Sequence, residues 1–133
     1  MRKVGIVPYY TNQEIKWWDP AEFYEACVGK GWVPLLMDLT KKLFALGWDG
    51  RLEQVKEKFG TLRFYWANNI PGIMGEIAND VVSEAEARSA YICQTCGKSG
   101  DTRGDGWLVT LCTEHWKEYR GGGNADLGSA GAS

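Results

Sequence analysis

Three cysteines and the only histidine of the chain stand in a pattern that can do chemistry: Cys93-x2-Cys96, fifteen residues, then Cys112-x2-His115. Thiolates and imidazole are the soft and borderline donors that a zinc ion gathers into a tetrahedron. A two-residue gap lets a tight turn aim both side chains at one ion, and Gly97 supplies the backbone freedom such a knuckle needs. The second pair falls at the start of a predicted helix, Thr113 to Arg120, where residues i and i+3 share a face, so Cys112 and His115 can converge. Paired doublets at this spacing seldom arise by chance. The bland alternative is inert buried thiols and a surface imidazole, which leaves the placement of a single histidine unexplained.

Four protein ligands close the shell, whereas a catalytic zinc keeps one position open beside an acid–base group. The deaminase order H-x-E…P-C-x-x-C is missing. Glu114, next to His115, stands at a helix start where the backbone dipole accounts for it. A nuclease of the HNH type would need another histidine as general base in the hairpin. That hairpin reads Gly106-Trp107-Leu108-Val109-Thr110, and no histidine is left over. The expectation is therefore one structural Zn2+ held by Cys93, Cys96, Cys112 and His115, with no catalytic residues and no enzyme activity.

Several elements must position these ligands. Lys3 to Tyr10 can form a strand, confined to a sheet edge by Pro8. Asp19-Pro20 is a helix start, with Pro at the first helical position, and Gly29 and Gly31 end that helix after Cys27, a thiol expected to be buried. A second helix runs from Trp32 to Leu46 on the stripe Leu35, Leu36, Leu39, Leu43 and Leu46, with Gly47 as its cap. Residues 51–66 predict a hairpin turning at Gly60, because Leu62, Phe64 and Trp66 alternate with Arg63 and Tyr65. A third helix over 73–90 places Ile73, Ile77, Val81 and Ala85 on one face, with Met74, Ala78 and Val82 beside them, and pairs Glu84 with Arg88 on the solvent side. Between the ligand doublets, Trp107 to Leu111 reads as a short strand, and Asp101 and Asp105 neutralise Lys98 and Arg103.

The class this predicts is α+β: helices packed on a small antiparallel sheet, forming one domain over residues 1–120. A treble-clef-like zinc module occupies 91–120, and 121–133 is a flexible Gly/Ala/Ser-rich tail. The chain's 133 residues suffice for one core. A net charge of −2 argues against nonspecific nucleic-acid binding, which needs clustered Lys and Arg. No apolar run approaches the roughly 18 residues of a membrane span, and the N-terminus lacks the form of a signal peptide, so cytoplasmic residence and no membrane partner are expected.

Two surfaces are candidates for partner binding. Trp17-Trp18 is one, since seven tryptophans exceed what so small a core needs and exposed aromatics mark protein interfaces. Lys56, Lys58, Arg63 and Tyr65 are the other, a mild basic and stacking face for nucleic acid. Glu53 and Glu57 are expected to balance the cations, which favours an ordinary solvated face.

A wider pattern joins these pieces. Gly31-Trp32-x-x-Leu35-Leu36, the block from Gln54 to Tyr65 (QVKEKFGTLRFY), Ala85-Glu86-Ala87-Arg88-Ser89 and the Cys/His doublets resemble a family of small, uncharacterised bacterial and phage proteins. The resemblance spans about residues 30–116 and implies the metal ligands and a prokaryotic or phage setting. The function expected is a non-enzymatic zinc-binding protein that acts by protein–protein interaction. A phage or mobile-element inhibitor of a host defence complex, anti-CRISPR-like, is one concrete form. A nucleic-acid-binding accessory protein is the alternative, and an HNH-like nuclease the least favoured. The oligomeric state is left open.

Overall fold

The structure, a computed structural model, describes residues 6–8 and 19–123. Pro20 opens the first helix, α1 (Pro20–Val28), because its fixed φ suits the first helical position. Asp19 is the N-cap residue in extended backbone, yet its carboxylate makes no capping bond. Cys27, expected to be buried, is half-buried. Gly29 ends α1, and a 3-10 turn, Lys30–Trp32, leads into α2 (Val33–Leu46). Leu35, Leu36, Leu39 and Leu43 form its buried stripe as their spacing predicts, joined by Thr40, while Leu46 is half-buried. Gly47 closes α2 in the left-handed region at φ 112, its N–H on the carbonyls of Leu43 and Phe44.

The hairpin forms as β2 (Arg51–Lys58) and β3 (Thr61–Trp66), paired antiparallel with Val55 opposite Phe64 and Lys56 opposite Arg63. A two-residue turn, Phe59-Gly60, joins them. β1 (Val7–Pro8) pairs parallel with β2, giving the order β1-β2-β3 with Pro8 on an edge strand. The other residues of the predicted strand, 3–5 and 9–10, lie outside the described residues.

The third helix, α3 (Gly72–Ser89), has the predicted span, and Ala78, Val82 and Ala85 of its predicted apolar set are buried, but its first turns face outward. Gly75, Ala78, Val82, Ala85 and Ser89 are buried, whereas Ile73, Met74 and Ile77 are exposed, Ile73 by 67%. Small residues let α3 approach β3 closely. Ser89 Oγ accepts the Leu62 N–H (2.8 Å) and Glu86 Oε2 accepts the Phe64 N–H (2.8 Å), so the helix covers the free edge of the sheet. Glu84 and Arg88 form no ion pair: among the described residues the pairs are Asp38–Lys42, Asp49–Arg51 and Asp101–Arg103.

A second, two-stranded sheet joins β4 (Asp101–Arg103) and β5 (Val109–Leu111), followed by α4 (Thr113–Glu118) and a wider helical turn, Tyr119–Gly123. The predicted strand thus starts at Val109, and Trp107 stands in the loop before it, 70% exposed. Residues 124–133, most of the predicted tail, lie outside the described residues. The class is α+β. The core gathers Tyr24, Trp32, Leu36, Leu39, Leu43, Leu52, Leu62 and Phe64 between the helices and the inner face of the first sheet. Among the described residues no helix is long and apolar enough to cross a membrane.

Candidate metal centre

The first pair of ligands sits in a knuckle held by its own backbone. The Cys93 N–H donates to the Lys98 carbonyl (2.8 Å) and the Gly97 N–H to the Cys93 carbonyl (2.9 Å). Gly97 has φ 83, so the glycine is required there as the sequence implied. The second pair uses a helix start. Cys112 is the N-cap of α4, and its Sγ accepts the His115 N–H at 3.4 Å. A thiolate in this place does what Ser or Asp does at other N-caps, and it puts residue i+3 on the same side.

These two devices bring Cys93, Cys96, Cys112 and His115 together with every ligand atom within 4.8 Å of the others. Cys96 Sγ and Cys112 Sγ are 3.8 Å apart. His115 Nδ1 lies 3.7 Å from Cys93 Sγ and 3.2 Å from Cys112 Sγ. An ion bonded tetrahedrally at about 2.3 Å to sulfur and about 2.0 Å to nitrogen sets S···S near 3.8 Å and S···N near 3.5 Å. The quartet fits that geometry and can hold one metal ion, with Nδ1 as the imidazole donor. None of the four cysteines forms a disulfide.

The electrostatics favour thiolate at two of the sulfurs. Burial by itself would raise Cys93, but the backbone groups of Cys112, Cys96 and Thr95 outweigh it and bring the thiol down to about 6. The backbone N–H of His115 lowers Cys112, helped by the imidazole. Those sulfurs, Cys112 first, raise His115. Cys96 goes the other way. The Lys98 backbone draws it down, but desolvation and the sulfurs of Cys93 and Cys112 together push it above its ordinary value. With several negative charges converging, one site in the cluster retains its proton until a cation arrives.

The cluster is keyed into the helical body. Gly31 donates its N–H to the Gln94 carbonyl (2.8 Å), and a Cβ on Gly31 would lie 2.0 Å from the Cys93 carbonyl oxygen. The indole of fully buried Trp32 donates to the Ile92 carbonyl (2.8 Å). Gln94 lies across from Thr110, giving its N–H to the Thr110 carbonyl (2.9 Å) and taking the Thr110 N–H on Oε1 (2.8 Å). Thr110 Oγ1 reaches the Gly60 carbonyl at the tip of the first hairpin (2.6 Å). Gly31, Gln94 and Thr110 were not readable as positioning residues, because their role lies in contacts distant in sequence.

No family model, curated protein or solved structure matches this chain.

The other candidate residues divide. Trp17 and Trp18 lie outside the described residues. Lys56, Lys58, Arg63 and Tyr65 all fall on the outward face of the first hairpin, opposite in parity to Val55, Leu62 and Phe64. The expected balance by Glu57 is overturned. Glu57 lies opposite Leu62, one step out of parity with the cations, and its Oε2 accepts the Gly60 N–H at 2.7 Å. Glu53 sits at the irregularity between Leu52 and Gln54 and forms no ion pair among the described residues. Strand parity along β2 would have separated Glu57 from its lysine neighbours. Arg103 does meet Asp101, at 3.3 Å, and lies over the Trp116 ring.

Proposed function

We propose that this chain is a non-enzymatic binding protein in which one structural zinc ion fastens a treble-clef-like module to a helical body. The convergence of three sulfurs and one imidazole nitrogen at tetrahedral spacing carries the reading. The donor set supports zinc over calcium or magnesium, which take oxygen ligands. Four protein donors leave no vacant position for substrate, and the chain has no second histidine to serve as base. The knuckle, hairpin and ligand-bearing helix follow in the order expected of a treble clef.

The test is elemental analysis of freshly reduced protein, with Co2+ exchanged for the native ion. One metal per chain and the absorption of a tetrahedral cobalt–thiolate centre are expected, and Cys96→Ser should abolish both. Metal-free protein with an unchanged melt would reject the proposal.

Protein association, the partner class that the tryptophans suggest, finds support in the exposed Ile73, Met74 and Ile77 on α3. A nucleic-acid partner has a more specific observation behind it: the unbalanced cations of the first hairpin.

A further inference from the structure

We infer that the outward face of the β2–β3 hairpin and the aromatic cleft at its tip bind single-stranded nucleic acid. The inference rests on the reading of the chain as a binding protein and names its ligand.

Lys56 lies directly opposite Arg63, and Lys58 opposite Thr61, so three cations share one face. Like charges directly across a sheet repel unless an anion lies between them. Among the described residues none of the three meets a carboxylate. Arg63 Nε is buried and has no hydrogen-bond acceptor among the described residues. A phosphate in solvent cannot reach that atom, but it is the acceptor that best matches the terminal nitrogens of this half-buried side chain.

Rings flank these cations, Tyr65 on the same face and Phe59 and Trp107 at the hairpin tip. Tyr65, two residues from Arg63, is 41% exposed. At the other end, Phe59 and Trp107 line a cleft of ≈ 230 Å³ with Glu57, Lys58, Gly106 and Leu108; the two rings are 62% and 70% exposed. Phe59 has φ 56 and Gly60 φ 83, a two-residue turn in which Asn is the usual first residue. A phenylalanine held there in a left-handed conformation, and turned to solvent, points to a use outside the fold. The tip is braced. Thr110 Oγ1 contacts the Gly60 carbonyl and lies 2.7 Å from Thr102 Oγ1, which ties the two hairpins together.

An acidic peptide would answer the cations but not the rings. A duplex keeps its bases stacked inside and presents only phosphate. A single strand offers phosphates to Lys56, Arg63 and Lys58 and unstacked bases to Tyr65, Phe59 and Trp107. The net charge of −2 is a sum over the whole chain: Glu76, Asp80 and Glu84 are exposed on α3, and Glu57, which lines the cleft, is engaged by the Gly60 N–H through Oε2.

The test is fluorescence anisotropy with the metal-loaded full chain and a labelled thymidine oligonucleotide of about 12 residues. Binding should weaken with salt along a log–log slope of about −2, from three phosphate contacts at about −0.7 each. A duplex of equal length and polyglutamate should bind at least about tenfold more weakly. Lys56→Gln combined with Arg63→Gln should flatten the slope by about 1.4. Trp107→Ala and Tyr65→Ala should each cost about tenfold. Phe59→Asn separates fold from function: the turn accepts Asn readily, so the melt should be no lower while affinity falls about tenfold. Absence of salt-sensitive binding overturns the inference. So does equal affinity for polyglutamate, which would make the face a site for acidic protein, or an unchanged affinity after Phe59→Asn and Tyr65→Ala. Metal content and melting are read on the same samples. Lost oligonucleotide binding with one metal bound and an intact melt rejects the ligand and leaves the zinc reading standing.

Discussion

Cys96 is the exposed member of the quartet and the one whose thiol is held above its ordinary value. It governs how metal uptake depends on pH. A metal must displace whatever protons its ligands carry. Where Cys96 alone is protonated, apparent affinity should fall about tenfold per unit drop in pH. The fall should steepen as further ligands take up protons, Cys93 among them near pH 6. Competition against a chromophoric chelator between about pH 5.5 and 9 measures the curve. A flat profile would show that the sulfurs are not the ligands. Tyr24 gives a second, independent pH signal. Its ring is fully buried, burial lifts its phenol well above 10.0, and its hydroxyl meets Thr40 Oγ1 at 2.6 Å. A raised folded pKa means the contribution is fully present below about pH 10 and is lost as pH climbs from there toward the folded value. Stability should therefore decline above about pH 10, and Tyr24→Phe should remove part of that decline while costing about 1 kcal/mol at neutral pH. Denaturant midpoints at pH 7 and 11 for both proteins provide the check.

At the scale of elements, the junction between α1 and α2 matters because the metal knuckle rests on it. Gly31→Ala would drive a methyl group into the backbone of Cys93 and Gln94, with contacts of 2.0 to 2.5 Å. Backbone cannot rotate aside as a side chain can, so the loss should be about 3 kcal/mol, at the upper end for overpacking. Metal affinity should fall with it, because the knuckle must move to make room. Gly47→Ala, which meets nothing within 4 Å but strains a φ of 112, is the comparison: it should cost about 1 kcal/mol and leave metal affinity unchanged. Equal metal binding by the Gly31 and Gly47 variants would mean that the knuckle does not bear on the helices. The two glycines also mark what a sequence can disclose. Gly47 follows the last leucine of an amphipathic stripe, so local pattern is enough to name it a cap. Gly31 reads as one more helix terminator, since nothing local reports the close approach of a segment some sixty residues away. The inner face of α3 was read only in part, for a related reason. Apolar periodicity counts Ile73 and Ile77 and rightly includes Ala78, Val82 and Ala85, while Gly75 and Ser89, which permit close packing, give no hydrophobic signal. The metal ligands were legible because metal geometry imposes its spacing on the chain itself. Glu57 was misplaced only because the parity applied to β3 was not carried across to β2.

Across the whole molecule, the question is how far metal loss spreads. The metal module contributes little apolar burial of its own, mainly Cys93 and Leu111, whereas the core is drawn from residues 6–85 with Ile92 packed at its rim. A structural zinc contributes on the order of 10 kcal/mol at neutral pH, comparable with the whole stability of a domain. The module should therefore not survive without its ion. The body keeps its core but loses the contacts that Trp32, Gly31 and Gly60 make across the junction. Chelation should give two levels of hydrogen exchange. Amides of Cys93, Gly97, Gly100 and Trp116 should exchange as in an open chain, because their bonds are internal to the module or at its edge. Amides within α2 around Leu39 and Leu43 should stay protected, since that stripe packs on α1, α3 and the first sheet. Gly31 decides the boundary: its N–H is held only by Gln94, so it should exchange with the module although it belongs by sequence to the body. Uniform loss of protection through α2 would mean that the two parts fold as one unit, and protection retained at Gly97 after verified metal removal would mean that the ion holds nothing together.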